Sequence, residues 1–405
     1  MAIPAGWSAA EWSAYKAQIP LASRWATRIY VTDLNQKHLV DVPMASFISG
    51  QWNLVSDGDI DRTFQGEFFD VGGHLAPHFD PAVAPARLIQ VVQGTYVDSL
   101  ARWLWVPTFT GRPHATTDNG GGSYSIEAQG KESLHNRGVP ARVFHKGDRI
   151  VDAIRNYLTA TGEQFMSIPS SSSITNRLNS DVKFGGASDQ MTPLAAMRKI
   201  AALAGCQLYW TGAGVATVRK WPVKTDPVFT WDRETVLSEP SFGTDLSTLK
   251  NRWTGGGKGS LRADITATGT YSPAALAVGG VSWSDIDFGD DDDSLTSAAL
   301  KAFGEKRVNE LVTLATTVQC DVVPFHAVDP MDYAEVRIPG RTETCTIRDA
   351  SIPIAGAETG ALQGPKMSLG STHNTRRGSY GSVHLSGSTR KPKKKRSHHS
   401  TRRHR

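Results

Sequence analysis

Gly255-Gly256-Gly257-Lys258-Gly259-Ser260 has the composition of a phosphate cradle but not its order. A P-loop needs a strand, then GxxxxGK followed at once by Ser or Thr, then a helix. Here Gly follows Lys258 and the text beyond it is extended, so the run reads as a hairpin loop. Asp57-Gly58-Asp59-Ile60-Asp61 alternates carboxylates as a calcium loop does. The sixth position from Asp57 is Arg62 where an EF-hand needs Gly, and the twelfth is Phe68 where it needs Glu. That stretch is an acidic turn ahead of a strand. Asp285, Asp287 and Asp290 to Asp293 could hold a divalent cation weakly, or could be a solvated loop whose last acids favour the positive start of the next helix. His74 and His78 are four apart, but in a Gly/Pro-rich loop that spacing does not put them on one helical face. No HExxH and no GxSxG occurs. These patterns point to no catalytic residue, no metal site and no cofactor, and so to a structural protein rather than an enzyme.

One electrostatic signal is strong. Of the 44 Lys and Arg, twelve lie from Lys366 onward with no acid among them, which leaves 32 against 39 acidic residues in the rest, a net of −7. The formal charge of +5 therefore describes a mildly acidic body with a basic tail. Within that tail Lys391, Lys393, Lys394, Lys395, Arg396, Arg402 and Arg403 form the densest run. Two readings stand: a solubilising tail, or non-specific attraction to DNA phosphate or an acidic surface. No aromatic residue lies within 391–405, so base stacking is not indicated.

The elements that position these residues follow from periodicity. Thr192-Pro193 opens a helix with a capping oxygen and a preset φ. Leu194, Met197, Ile200, Ala201 and Ala204 recur at helical spacing with Arg198 and Lys199 opposite, and Gly205 stands at the left-handed C-cap. The period then becomes two: Gln207 to Trp210, a turn at Thr211 to Gly214, and Val215 to Arg219. Arg149 to Ala160 repeats the helix pattern, closed by Gly162. Ahead of this α+β module, short runs from Arg28 to Gln129 read as strands, suited to a closed barrel or sandwich. Beyond it come a further β set and a Ser294-to-Leu314 helix. Trp7, Trp12, Tyr15 and Ile19 form a short amphipathic arm that must dock to be stable. The three cysteines show no CxxC pair, which argues against a disulfide framework or zinc ribbon. No run approaches a membrane span.

The order is then a β domain, an α+β insertion leaving through Trp221-Pro222, and a second β set. The second set opens with Asn251-Arg252-Trp253-Thr254 and closes with Asp332 to Arg337 and Thr346-Ile347. That order resembles the tail hub (minor tail, baseplate hub) proteins of long-tailed bacteriophages and the related spike-hub proteins of contractile injection systems. The expected domains are an arm at 1–24, a first β-barrel from 25–145 and 222–250, and an inserted α+β domain at 146–221. A second barrel with an inserted helix follows at 251–370, then a disordered basic tail at 371–405. The resemblance implies a homotrimer at the tip of a virion tail, with two similar barrels per chain imitating sixfold symmetry. Its implied partners are a distal tail protein, the tape-measure protein and tail fibres or receptor-binding proteins. Trp52, Trp103, Trp105 and Trp253 are the candidate interface anchors. A cell-wall or receptor-binding β module is the alternative.

Overall fold

The structure is a computed structural model. It describes residues 6–21, 24–56, 60–70, 72–178, 181–186, 191–220, 227–244, 252–256, 262–266, 316–354 and 367–372, with a few isolated residues between. The Ser294-to-Leu314 helix falls almost wholly outside them, as do Asp57, Asp59, Lys258, the acids from Asp285 to Asp293 and the tail from 373.

The arm is a helix, α1 (Ala9–Gln18), whose start is a reciprocal capping box: Ser8 accepts from the Glu11 N–H and Glu11 accepts from the Ser8 N–H. It docks on its own chain. Tyr15 and Ile19 are fully buried, and the Trp12 and Tyr15 rings lie 5.7 and 5.9 Å from that of Phe325.

Seven strands follow: β1 (Trp25–Asp33), β2 (His38–Val42), β3 (Phe47–Val55), β4 (Arg62–Phe69), β5 (Arg87–Val97), β6 (Arg102–Gly120) and β7 (Ser123–Gly130). A short turn of helix, α2 (Ala76–Phe79), sits between β4 and β5. β6 is longer than the short runs the sequence suggests, nineteen residues from Arg102 to Gly120. It carries Pro107 and Pro113 by slipping register beside each, which spares a ladder position where no N–H is available.

The inserted module holds β8 (Arg142–Phe144), α3 (Ile150–Ala160), β9 (Met166–Ser167), β10 (Val182–Phe184), α4 (Pro193–Leu203), β11 (Cys206–Trp210) and β12 (Ala216–Lys220). Thr192 caps α4 by accepting from the Ala195 N–H at 3.2 Å, and Gly205 turns the chain at φ +67°. β11 and β12 then pair from Cys206↔Lys220 to Trp210↔Ala216, as the change of period predicts. The module has its own apolar core, built on Ile154, Leu158, Phe184, Met197, Ile200 and Trp210.

The last strands are β13 (Phe229–Trp231), β14 (Ser241–Thr244), β15 (Arg252–Gly256), β16 (Arg262–Thr266), β17 (Ser282–Trp283), β18 (Thr316–Val322), β19 (Tyr333–Ile338), β20 (Arg341–Pro353) and β21 (Met367–Thr372). β15, β16 and β17 form a small sheet of their own.

The remaining strands correct the expected architecture. Among the described residues there is no closed barrel: one 13-stranded sheet runs β14-β18-β21-β20-β3-β4-β7-β6-β5-β1-β2, with β13 and β19 branching from β20. The junction is β20. Its first half pairs with β19, its second half pairs with β3 on one side and β21 on the other, so thirteen residues serve both β sets. Periodicity finds a strand but not how many neighbours it has. Within 222–250, grouped above with the first β domain, the two described strands pair in the C-terminal set: β13 with β19 and β14 with β18. One apolar core accordingly spans Phe64 and Phe109 from the first set and Trp231, Phe325 and Val336 from the second.

Candidate functional site

Where the inserted module meets the sheet, the contact is ionic and buried. β4 begins at Arg62, which alternation aims inward with Phe64 and Phe68. Its guanidinium, 2% exposed, donates to the carbonyls of Thr108 (3.1 Å) and Val328 (2.7 Å) and pairs with Asp329 at 3.0 Å. From the module, Arg198 of α4 reaches Asp61 at 2.6 Å, both side chains almost fully buried. Arg219 of β12 pairs with Asp332 at 2.8 Å and donates to the Pro330 carbonyl at 3.0 Å. Gln207 donates to the same carbonyl at 3.2 Å, and the Tyr209 hydroxyl to Asp329 at 3.1 Å. A second strut follows β7: Lys131 donates to Glu163 at 2.7 Å and Trp210 to the other oxygen of Glu163 at 3.3 Å. Glu132 accepts from the backbone N–H groups of Asp61 and Arg62.

Burial sets the electrostatics of this junction. It pushes the Asp61 carboxyl up to about 7 and Asp332 up to about 6, against the pull of Arg198 and Arg219 respectively. Glu132 is likewise raised by burial. Glu163 goes the other way: burial would raise it, but its bonds to His135 and Lys131 and the Lys131 charge hold it at about 2. The carboxylates are turned onto cations and backbone donors rather than toward a cleft. Chemically the arrangement is a weld: it fixes how the module sits on the sheet. Burying charge adds little net stability, but removing one partner is costly.

The outer face of β1, β5 and β6 presents a different surface. Arg24 lies over the Tyr96 ring (3.7 Å), Tyr96 meets Trp103 edge-on (5.6 Å), Trp103 stacks on Trp105 (5.6 Å), and Arg28 caps Trp105 at 4.0 Å. Trp105 crosses onto Gly94 of β5, where a Cβ would meet its ring at 2.7 Å, so the close approach requires glycine. Half-buried Tyr96, Trp103 and Trp105 with exposed Arg24 and Arg28 laid over them are of the residue types that dominate interface energetics.

The sequence candidates separate accordingly. Trp103 and Trp105 stand together on this face. Trp52 does not: it is fully buried and its indole N–H donates to Gln93 at 2.8 Å, so it anchors the chain's own core. The side chain of Trp253, in β15, lies outside the described residues, and so do Lys391, Lys393, Lys394, Lys395, Arg396, Arg402 and Arg403. Sequence reasoning missed the buried junction. It grouped Asp61 with an acidic turn and set Arg198 on the polar face of α4, yet Arg198 is 2% exposed. The available signal was phase: Arg198 is four residues from Leu194 and three from Ala201, in step with the apolar stripe.

No protein-family model matches the sequence, and no curated protein matches it. Solved structures do match in fold. A tail protein from Neisseria meningitidis is 12% identical, with 86% of this chain and 96% of that one covered at a TM-score of 0.57. The 43 kDa tail protein of prophage MuSo2 from Shewanella oneidensis is 10% identical, covering 85% and 98% at 0.54. A chain of the PdpA–VgrG complex is 8% identical, covering 87% and 65% at 0.52. The fold is the one shared by these tail and VgrG-complex proteins, and the resemblance drawn from element order holds at that level.

Proposed function

We propose that this chain is a structural hub at the tip of a virion tail, working as a homotrimer by assembly geometry rather than by catalysis. What carries the reading is the likeness in fold, over 85–86% of this chain, to two tail proteins, on a chain whose two β sets are joined through β20 and braced by a welded module. A ring of head-to-tail contacts needs a protomer that does not flex between its interfaces, and these joints supply that stiffness. In this reading the partners are a distal tail protein, the tape-measure protein and tail fibres or receptor-binding proteins. The run from Lys391 to Arg403 gives a salt-dependent attraction to DNA or an acidic surface. The expected result is a scattering mass three times that of the chain, with a threefold ring in negative stain. A strict monomer at high concentration, with tail partners present, overturns the hub.

A cell-wall or receptor-binding role draws support from one observation, the half-buried Trp103–Trp105 stack flanked by Arg28. Pulldown on purified cell wall that is lost in Trp103→Ala, while the variant stays folded, favours that role; no binding by the intact chain removes it.

A further inference from the structure

The geometry points to a phosphate-binding cleft between β6, β7 and the helical turn that follows β7, with Arg112 and Arg137 as its two cationic walls. The cleft has a volume of about 270 Å³. Arg112 sits across from Gln129 in the β6–β7 register, and Ser133 and Asn136 come from the turn and its C-cap. His114 completes the rim.

Three features separate this cleft from an ordinary polar surface. First, its cations are uncompensated. The guanidinium groups of Arg62, Arg198 and Arg219 each meet a carboxylate, whereas Arg112 and Arg137 make no ion pair with any described residue. The Arg112 Nε is buried without a hydrogen-bond partner, as are those of Arg62, Arg198 and Arg219, so the missing carboxylate is what sets it apart. The one carboxylate paired at the rim is Glu127, 3.5 Å from the His114 ring. Second, the remaining polar lining supplies donors: the amides of Gln129 and Asn136 and the Ser133 hydroxyl. Two guanidinium forks with neutral donors between them suit a tetrahedral dianion better than a planar monoanion. Third, the backbone that carries Arg112, Ser133 and Asn136 is braced before any ligand arrives. The turn is fixed at Lys131 by Glu163 and at Glu132 by the backbone of Asp61 and Arg62. Thr116 donates to the Phe79 carbonyl at 2.8 Å, tying the segment ahead of Pro81 to β6. A braced backbone lowers the entropy cost of binding, and the exposed Arg137 side chain is the part that must still be ordered.

The ligand class is a phosphate dianion, free or as a monoester. The test uses the full chain and three probes at matched ionic strength: inorganic phosphate, glycerol 1-phosphate and dimethyl phosphate, followed calorimetrically. Phosphate and glycerol 1-phosphate bind, and dimethyl phosphate, a monoanion, binds more weakly. Arg137→Gln, an exposed position, weakens phosphate binding by about tenfold or more with unchanged melting, and Arg112→Gln does the same. A combined Lys393, Lys394 and Lys395→Gln variant leaves it unchanged. Loss in that tail variant instead, or full binding by both arginine variants, overturns the site. Equal binding of dimethyl phosphate overturns the dianion assignment.

Discussion

Two pieces of this chain dock on the same sheet assembly by opposite means. The inserted module is held by buried charge: Arg198 on Asp61, Arg219 on Asp332, Lys131 on Glu163. The N-terminal arm is held by rings. Trp12 and Tyr15 pack on Phe325, which stacks on Phe229 at 4.7 Å, and only rim contacts such as Glu11 with Arg102 are ionic. Ionic joints are directional, since each guanidinium must find its carboxylate, and so they fix orientation more than they add stability. Aromatic joints tolerate small rotations and draw on apolar burial, roughly 1.5–3 kcal/mol for each large side chain taken from water. The module is therefore placed, and the arm is adhered.

The sharpest way to break that contrast is to remove one charge from the ionic joint. Arg198→Met takes the cation from both Asp61 and Glu132 and is expected to cost about 3–5 kcal/mol in urea unfolding above about pH 8, where both carboxyls are pressed to ionise. Adding Asp61→Leu should recover a clear part of that loss, because the penalty lies in the orphaned carboxyls and only Glu132 then remains. A double variant as unstable as the single one would make packing, not charge, the basis of the joint.

Acid should sharpen the contrast next. His326 lies beside the arm joint, edge-on to Trp25 at 4.8 Å, with both ring nitrogens buried and unbonded, and burial lowers it to about 3. The folded state thus holds His326 neutral while the unfolded chain takes up a proton near pH 6.5. Its contribution is complete above about pH 6.5 and falls as pH drops toward 3, by up to about 1.4 kcal/mol per unit. Asp61 and Asp332 have the opposite sign. Their folded pKa values of about 7 and 6 exceed the ordinary 3.8, so their contribution is full below about pH 4 and is lost as pH rises through those values. His326→Leu should flatten the fall in melting temperature between pH 6.5 and 4. An unchanged slope would place the acid sensitivity elsewhere.

How much of this the sequence disclosed depends on the kind of information required. The α4–β11–β12 unit was legible down to Thr192 and Gly205, because capping, a left-handed stop and a change of period are local properties. The shared strand β20 was not, since its three partners lie up to about three hundred residues away and pairing leaves no trace in alternation. The buried junction was half legible. Charges at inward positions, Arg62 between apolar neighbours two apart and Arg198 within an apolar stripe, are visible in the text; their partners Asp329 and Asp61 are not. Trp52 shows the reverse error, for composition names an aromatic but does not say which side of the sheet it fills.

The smallest expected effect tests whether the arm is adhered as a unit. Ser8 and Glu11 satisfy each other's backbone N–H groups at the start of α1, an exposed contact in which the Phe325 ring takes no part. Ser8→Ala should cost about 1 kcal/mol, the usual worth of an N-cap. If rings alone hold the arm, that loss appears as fraying of the first turn: amide exchange quickens over 9–12 while Tyr15 and Ile19 stay protected. If exchange instead quickens across all of α1, the helix must form before it can dock, because an isolated helix this short does not persist in water. The arm joint would then be as conditional on local geometry as the ionic one, and the distinction between placed and adhered would collapse at this end of the chain.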